Sequence, residues 1–128
     1  MEPKVGTFYA GCVVANMTDR ERRADVPKLL VDTGSECTWI AEDTLRAIGV
    51  TTEKKDLAFQ MADGGTIVRS VGFAIIHVGD RFTVDEVVFA RPGDLQLLGA
   101  RSLEGLNLAV DPAHKRLIAA GPHLAAAA

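Results

Sequence analysis

The sequence predicts an all-β protein, a compact and mostly antiparallel barrel that carries one short helix. Three observations lead there. Short stretches rich in Val, Ile, Thr, Phe and Tyr follow one another, separated by turn residues. Asp63-Gly64-Gly65 and Gly79-Asp80 each sit between two such stretches and signal hairpins. Only Glu42 to Ile48 shows a clear helical spacing.

In chain order, Val5 to Ala15 mixes Thr, Phe, Tyr and Val and reads as a strand, and the polar stretch Asn16 to Asp25 reads as a loop. Leu29-Leu30-Val31 is a short apolar strand that stops at Asp32-Thr33-Gly34, and Thr38-Trp39-Ile40 resumes extended structure. The helix follows: Leu45 and Ile48 share a face, Glu42 and Asp43 suit its N-terminus, and Gly49 stops it. Leu57 to Met61 and Thr66 to Ser70 form the first hairpin around Ala62 to Gly65, and Val71 to Val78 and Phe82 to Ala90 the second. Arg91-Pro92-Gly93-Asp94 breaks the pattern. Leu95 to Leu98 is a brief strand, Arg101 to Glu104 a helical turn, and Leu106 to Val110 and Arg116 to Ala119 are strands joined by the turn at Asp111 to His114.

Composition narrows the function. The 128 residues suit one domain, expected over 1–121, with an alanine-rich disordered tail over 122–128. With 48% apolar and 24% charged residues the chain can bury a core. A net charge of -3 gives no reason to expect nucleic acid or an anionic membrane as partner, and Arg20 to Arg23, interrupted by Glu21, reads as a solvated turn. No apolar run is long enough to span a bilayer, and Met1 to Gly6 lacks the layout of a secretory signal, so a cytoplasmic setting is expected. Cys12 and Cys37 are too few for a disulfide framework, which agrees with a reducing compartment. His77, His114 and His123 stand singly without metal-ligand spacing. No cofactor or metal is expected.

The chemistry concentrates in Leu29-Leu30-Val31-Asp32-Thr33-Gly34-Ser35. A buried strand delivers an ionisable Asp to its end, where Gly34 lets the backbone approach and supply N–H donors. Thr33 has a hydroxyl for a neighbouring group, and Ser35 is placed to donate toward Asp32. A carboxylate in such a place is costly unless paired or protonated. Ser35 as a nucleophile is the weaker reading, since Gly-x-Ser-x-Gly is absent and no His stands in a triad context. Cys37 reads as a small buried hydrophobe and Trp39 as core.

This segment resembles the active-site signature of the aspartic proteases, hydrophobic-hydrophobic-Asp-Thr-Gly-Ser/Ala, down to a Trp seven positions after the Asp. About 65 residues later, Leu97-Leu98-Gly99 resembles the hydrophobic-hydrophobic-Gly that follows the flap in that family and packs beside the catalytic loop. Between the two lies the Gly-rich hairpin. The order resembles that of the retropepsin-like, single-lobe members over nearly the whole chain.

The resemblance implies a closed retropepsin-like barrel with a flap hairpin at Met61, Ala62, Asp63, Gly64 and Gly65. It implies Asp32 as catalytic residue, supported by Thr33, Gly34 and Ser35. A second Asp-Thr-Gly is absent, so the second carboxylate has to come from another copy, which makes the expected partner a homodimer and the substrate a peptide or unfolded protein. Acid–base hydrolysis needs one ionised and one protonated carboxylate. Retropepsins often brace the dimer by pairing an acidic residue after the active-site Ala with an Arg directly after the later Gly. Here Glu36 fills the first place, while Ala100 follows Gly99 and Arg101 comes one later. A flap Tyr of the pepsin kind is missing, leaving that contact to backbone or Met61. By the same resemblance, Met1 to Val5 and the strand around Leu117 are candidates for a shared dimer sheet. The alternative is a dimer of this fold that binds peptides without useful turnover.

Overall fold

The computed structural model describes residues 7–122 of the chain. Nine strands and two helices follow in the order β1 (Tyr9–Ala15), β2 (Arg23–Asp32), β3 (Thr38–Ala41), α1 (Glu42–Ala47), β4 (Lys54–Gln60), β5 (Thr66–Val78), β6 (Arg81–Ala90), β7 (Leu97–Gly99), α2 (Ala100–Leu106), β8 (Leu108–Asp111) and β9 (Arg116–Ala119). Strand order in the main sheet is β1-β2-β7-β3-β6-β5-β4, and a further β1–β5 pairing closes the first six into a barrel. All pairings are antiparallel except β2–β7 and β3–β6. The mostly antiparallel, closed all-β barrel is therefore the observed architecture. β8 and β9 make a separate two-stranded sheet.

The barrel interior is filled by side chains including Leu29, Ile40, Leu45, Ile76, Val87, Phe89 and Leu98. Each such burial contributes about 1.5–3 kcal/mol. Successive strand residues point to opposite faces, so Val88 and Ala90 face outward from Val87 and Phe89. They are nevertheless buried, in a second cluster with Trp39 and Val71 against which Leu57 and Phe59 of β4 pack. This outer cluster fastens the β4–β5 hairpin to the barrel.

Several elements differ from expectation for identifiable reasons. The stretches Thr66 to Ser70 and Val71 to Val78 form one 13-residue strand. Its first half pairs with β4 and its second half with β1, while β6 runs along the other edge. β2 starts at Arg23, inside the expected loop, and runs through Pro27 because a register shift opposite Ala10–Cys12 spares the missing N–H. β1 starts at Tyr9, and the expected strand start at Val5 lies outside the described residues.

The expected helix ends at Ala47, with Ile48 as its C-cap. Its six residues lack a side-chain N-cap, so it is held by the fully buried Leu45 and by the Glu42–Arg46 pair at 2.9 Å. An exposed pair of that spacing contributes only about 0.3–0.5 kcal/mol, which leaves packing as the main support. The helical turn expected at Arg101 to Glu104 is a fuller helix, Ala100–Leu106, anchored by buried Ser102, Leu103 and Leu106. Among the described residues no helix is long and apolar enough to cross a membrane. The expected tail falls outside the described residues apart from Pro122, as does His123.

Candidate active site

β2 buries Leu29 and Val31 in the core and then turns out at Asp32. β7 runs parallel beside it, matching Leu30 to Leu97, Val31 to Leu98 and Asp32 to Gly99. The two motifs separated in sequence thus lie side by side as one ladder. Gly99 must be glycine for a steric reason, since a Cβ there would stand 2.3 Å from the Cys37 carbonyl oxygen and 2.9 Å from that of Ser35. The loop from Asp32 to Cys37 rests directly on this bare backbone.

Asp32 is half-buried, and its Oδ1 accepts the Gly34 N–H at 2.9 Å. The expected backbone donor from Gly34 is present. The expected donation from Ser35 is not: its hydroxyl donates to the Cys37 carbonyl at 2.9 Å. That carbonyl is turned inward beside Gly99, where a polar group needs a partner. Thr33 is exposed. The first N–H groups of α2 hold the loop from beneath, Ala100 donating to the Ser35 carbonyl at 2.7 Å and Arg101 to that of Glu36 at 3.1 Å. The guanidinium of Arg101 reaches Glu36 at 3.3 Å and Glu86 at 3.6 Å, so the offset of one position does not prevent the Glu36–Arg101 pair. With Glu36 79% exposed, that pair contributes little within one chain.

The loop forms one wall of a cleft of about 780 Å³. Opposite it stand Ala58 to Ala62 of the β4–β5 hairpin, and Gly93 to Leu95 with Leu97 close the side. Asp32, Gly34, Ser35, Met61 and Ala62 are thus brought together around one space, whereas Thr33, Asp63, Gly64 and Gly65 do not line it. The hairpin tip is tight, with the Met61 N–H donating to the Gly65 carbonyl at 2.7 Å and the Gly65 N–H to Asp63 Oδ1 at 2.8 Å. Gly64 takes φ +89°, which a residue with a side chain adopts only under strain.

Phe59 and Leu95, which carry no motif, shape the same cleft. Phe59 meets Trp39 edge-on at 5.2 Å, so Trp39 is both core and cleft wall. The alternation of Leu57 and Phe59 along β4 was the available signal. Leu95, large and exposed, juts from the neighbouring loop. That loop is clasped to the hairpin by Arg69 and Asp94, which pair twice at 2.7 and 2.8 Å with side chains 14% and 13% exposed. A charge pair from residues 25 apart in sequence leaves no local pattern to find.

The Arg69 guanidinium, helped by the Arg91 N–H, holds the Asp94 carboxyl below the usual carboxylate range although burial opposes this. A folded-state depression contributes stability above the unfolded pKa, and the contribution is lost as pH falls through the folded one. Arg69→Met should therefore cost about 1.5–2 kcal/mol near neutral pH, because Asp94 loses two charge-assisted hydrogen bonds and keeps only the Arg91 N–H. The difference from the parent should shrink as pH drops below the ordinary carboxylate range. Chemical unfolding of both proteins at a series of pH values checks this, and a pH-independent difference would contradict it.

Both cysteines are free and buried. Burial pushes the Cys12 thiol up to about 12 and raises that of Cys37, so neither is an activated nucleophile. Among the described residues no cluster of three or more His, Cys, Asp or Glu side chains is arranged to hold a metal. His77 lies half-buried on β5, and His114 pairs with Asp111 at 2.8 Å in the β8–β9 turn, both away from the cleft.

A family model described as an aspartyl protease matches residues 21–108, from the turn before β2 to the start of β8. No curated protein matches the chain.

Proposed function

Since the chain belongs to the aspartyl protease family, we propose that it is an endopeptidase whose two catalytic carboxylates are Asp32 from each of two identical chains. The observation that carries this reading is the single Asp-Thr-Gly-Ser turn, presenting one half-buried carboxylate at the edge of an open cleft. Two such carboxylates facing across a two-fold axis cannot both ionise, so the pair holds one proton between them. The ionised member takes a proton from water as its oxygen attacks the scissile carbonyl carbon, and the protonated member gives its proton to the carbonyl oxygen. Collapse of the tetrahedral species breaks the C–N bond, with a proton delivered to the leaving nitrogen and the carboxyl product released.

In this reading Gly34 fixes the Asp32 carboxylate through its N–H, and Ser35 stiffens the loop through the Cys37 carbonyl. The exposed Thr33 is available to the partner chain. The hairpin from Met61 to Gly65 is the flap, covering an extended peptide that makes β-type main-chain hydrogen bonds in the cleft. Trp39, Phe59, Met61 and Leu95 favour large apolar side chains in the substrate. Residues 1–121 form the protease domain, working in a reducing compartment where Cys12 and Cys37 stay thiols.

The test is cleavage of an unfolded protein by the purified chain across acidic to neutral pH, with and without pepstatin. Pepstatin-sensitive cleavage is the expected result. Tight binding of pepstatin without any cleavage would point to a peptide-binding dimer instead.

A further inference from the structure

We infer that Thr38, Ser102 and Asp85 form a positioning chain that holds the Asp32 loop in its working geometry, an inference that rests on the proposed catalytic role of Asp32. Thr38 and Ser102 are the two fully buried hydroxyl side chains of the core, and their oxygens lie 2.6 Å apart. The Ser102 hydroxyl donates to Asp85 Oδ2 at 2.7 Å, and Thr38 Oγ1 accepts the Gly99 N–H at 3.0 Å. A carboxylate only accepts, so the direction of every proton follows from that end. The Ser102 hydroxyl donates to Asp85, the Thr38 hydroxyl donates to Ser102, and the Gly99 N–H donates to Thr38.

The chain ends where the site begins. Gly99 is the register partner of Asp32 in the β2–β7 ladder, so the loop is tied to Gly99 at its start through Asp32 and at its end through Thr38. Ser102 lies one residue beyond the two α2 amides that hold the Ser35 and Glu36 carbonyls. Fixing its side chain between β3 and β6 therefore fixes those donors as well. Asp85, on the far strand, neither lines the cleft nor sits near Asp32 in sequence, yet it sets the orientation of the whole chain of donors. Two carboxylates that must share a proton across a symmetry axis tolerate little displacement, and a shift near 1 Å costs about a hundredfold in rate.

Steady-state kinetics of the full chain, with Thr38→Val, Thr38→Ser and Asp85→Leu, test this at concentrations where the dimer is saturated. Thr38→Val keeps the shape and removes the hydroxyl. It should lower kcat about 30-fold with KM within about twofold, and Asp85→Leu should lower kcat about tenfold. Thr38→Ser, which restores the hydroxyl and deletes the methyl, should return kcat to within about threefold of the parent. Amide exchange at Gly99 gives a readout independent of catalysis, expected to quicken at least about tenfold in Thr38→Val and little in Thr38→Ser. Unchanged kcat in Thr38→Val, or equal losses in Thr38→Val and Thr38→Ser, would overturn the inference. Should the parent chain cleave nothing, that result counts against the protease reading, and unchanged Gly99 exchange in Thr38→Val still removes the positioning chain.

Discussion

On the proposed mechanism, Asp32→Asn should lower kcat by at least about a thousandfold while leaving the chain folded. The amide oxygen of Asn can still accept the Gly34 N–H that Asp32 Oδ1 takes at 2.9 Å, so the turn keeps its local bond. What the amide cannot do is gain or lose a proton. Neither the activation of water nor the protonation of the carbonyl oxygen then has a carrier. Stability should change by less than about 1 kcal/mol, because one neutral-donor hydrogen bond is retained in altered form and no core atom is removed. Measured together, kcat and the chemical-unfolding midpoint separate this outcome from simple unfolding. Retention of parental activity by the variant would remove Asp32 from the mechanism.

In the proposed dimer one chain supplies one half-site, so specific activity should fall on dilution. Dimer formation follows mass action, so well below the dissociation constant a tenfold dilution should lower activity per chain about tenfold. Mixing provides a second arm. With a threefold excess of Asp32→Asn chains and random re-pairing, only one parental chain in four meets another, and activity should drop to about a quarter. The interface should be isologous, with the two Asp32-Thr33-Gly34 turns meeting on the axis. Of the segments considered for a shared sheet, Leu117 lies in β9 next to the partly exposed Ile118, on the small β8–β9 sheet. Met1 to Val5 lie outside the described residues. Sedimentation run beside the assay decides the matter, since full activity in a sample shown to be monomeric would require a second acid within one chain.

The contrast between what was legible in the residues and what was not follows from the range of the interactions involved. Leu29-Leu30-Val31-Asp32-Thr33-Gly34 is a local object: side-chain alternation, a strand end and a glycine turn are all written within a few positions. The hairpin at Asp63-Gly64-Gly65 is equally local, since φ +89° at Gly64 is a demand that the tip alone imposes. Such pieces, and their order along the chain, are enough to specify the all-β barrel and the candidate carboxylate.

Tertiary structure decided the rest, because it depends on pairs that no window contains. The sequence shows no reason for Ser35 to turn from Asp32 toward Cys37; the inward carbonyl beside Gly99 supplies one. β5 reads as two strands until β4 and β1 are seen to share its one edge. Arg69 and Asp94, Trp39 and Phe59, and Thr38, Ser102 and Asp85 each look unremarkable alone and acquire meaning only through partners brought within bonding distance. A local conformational preference can be read from one residue and its neighbours, whereas burial and hydrogen bonding across a closed barrel are properties of the folded chain.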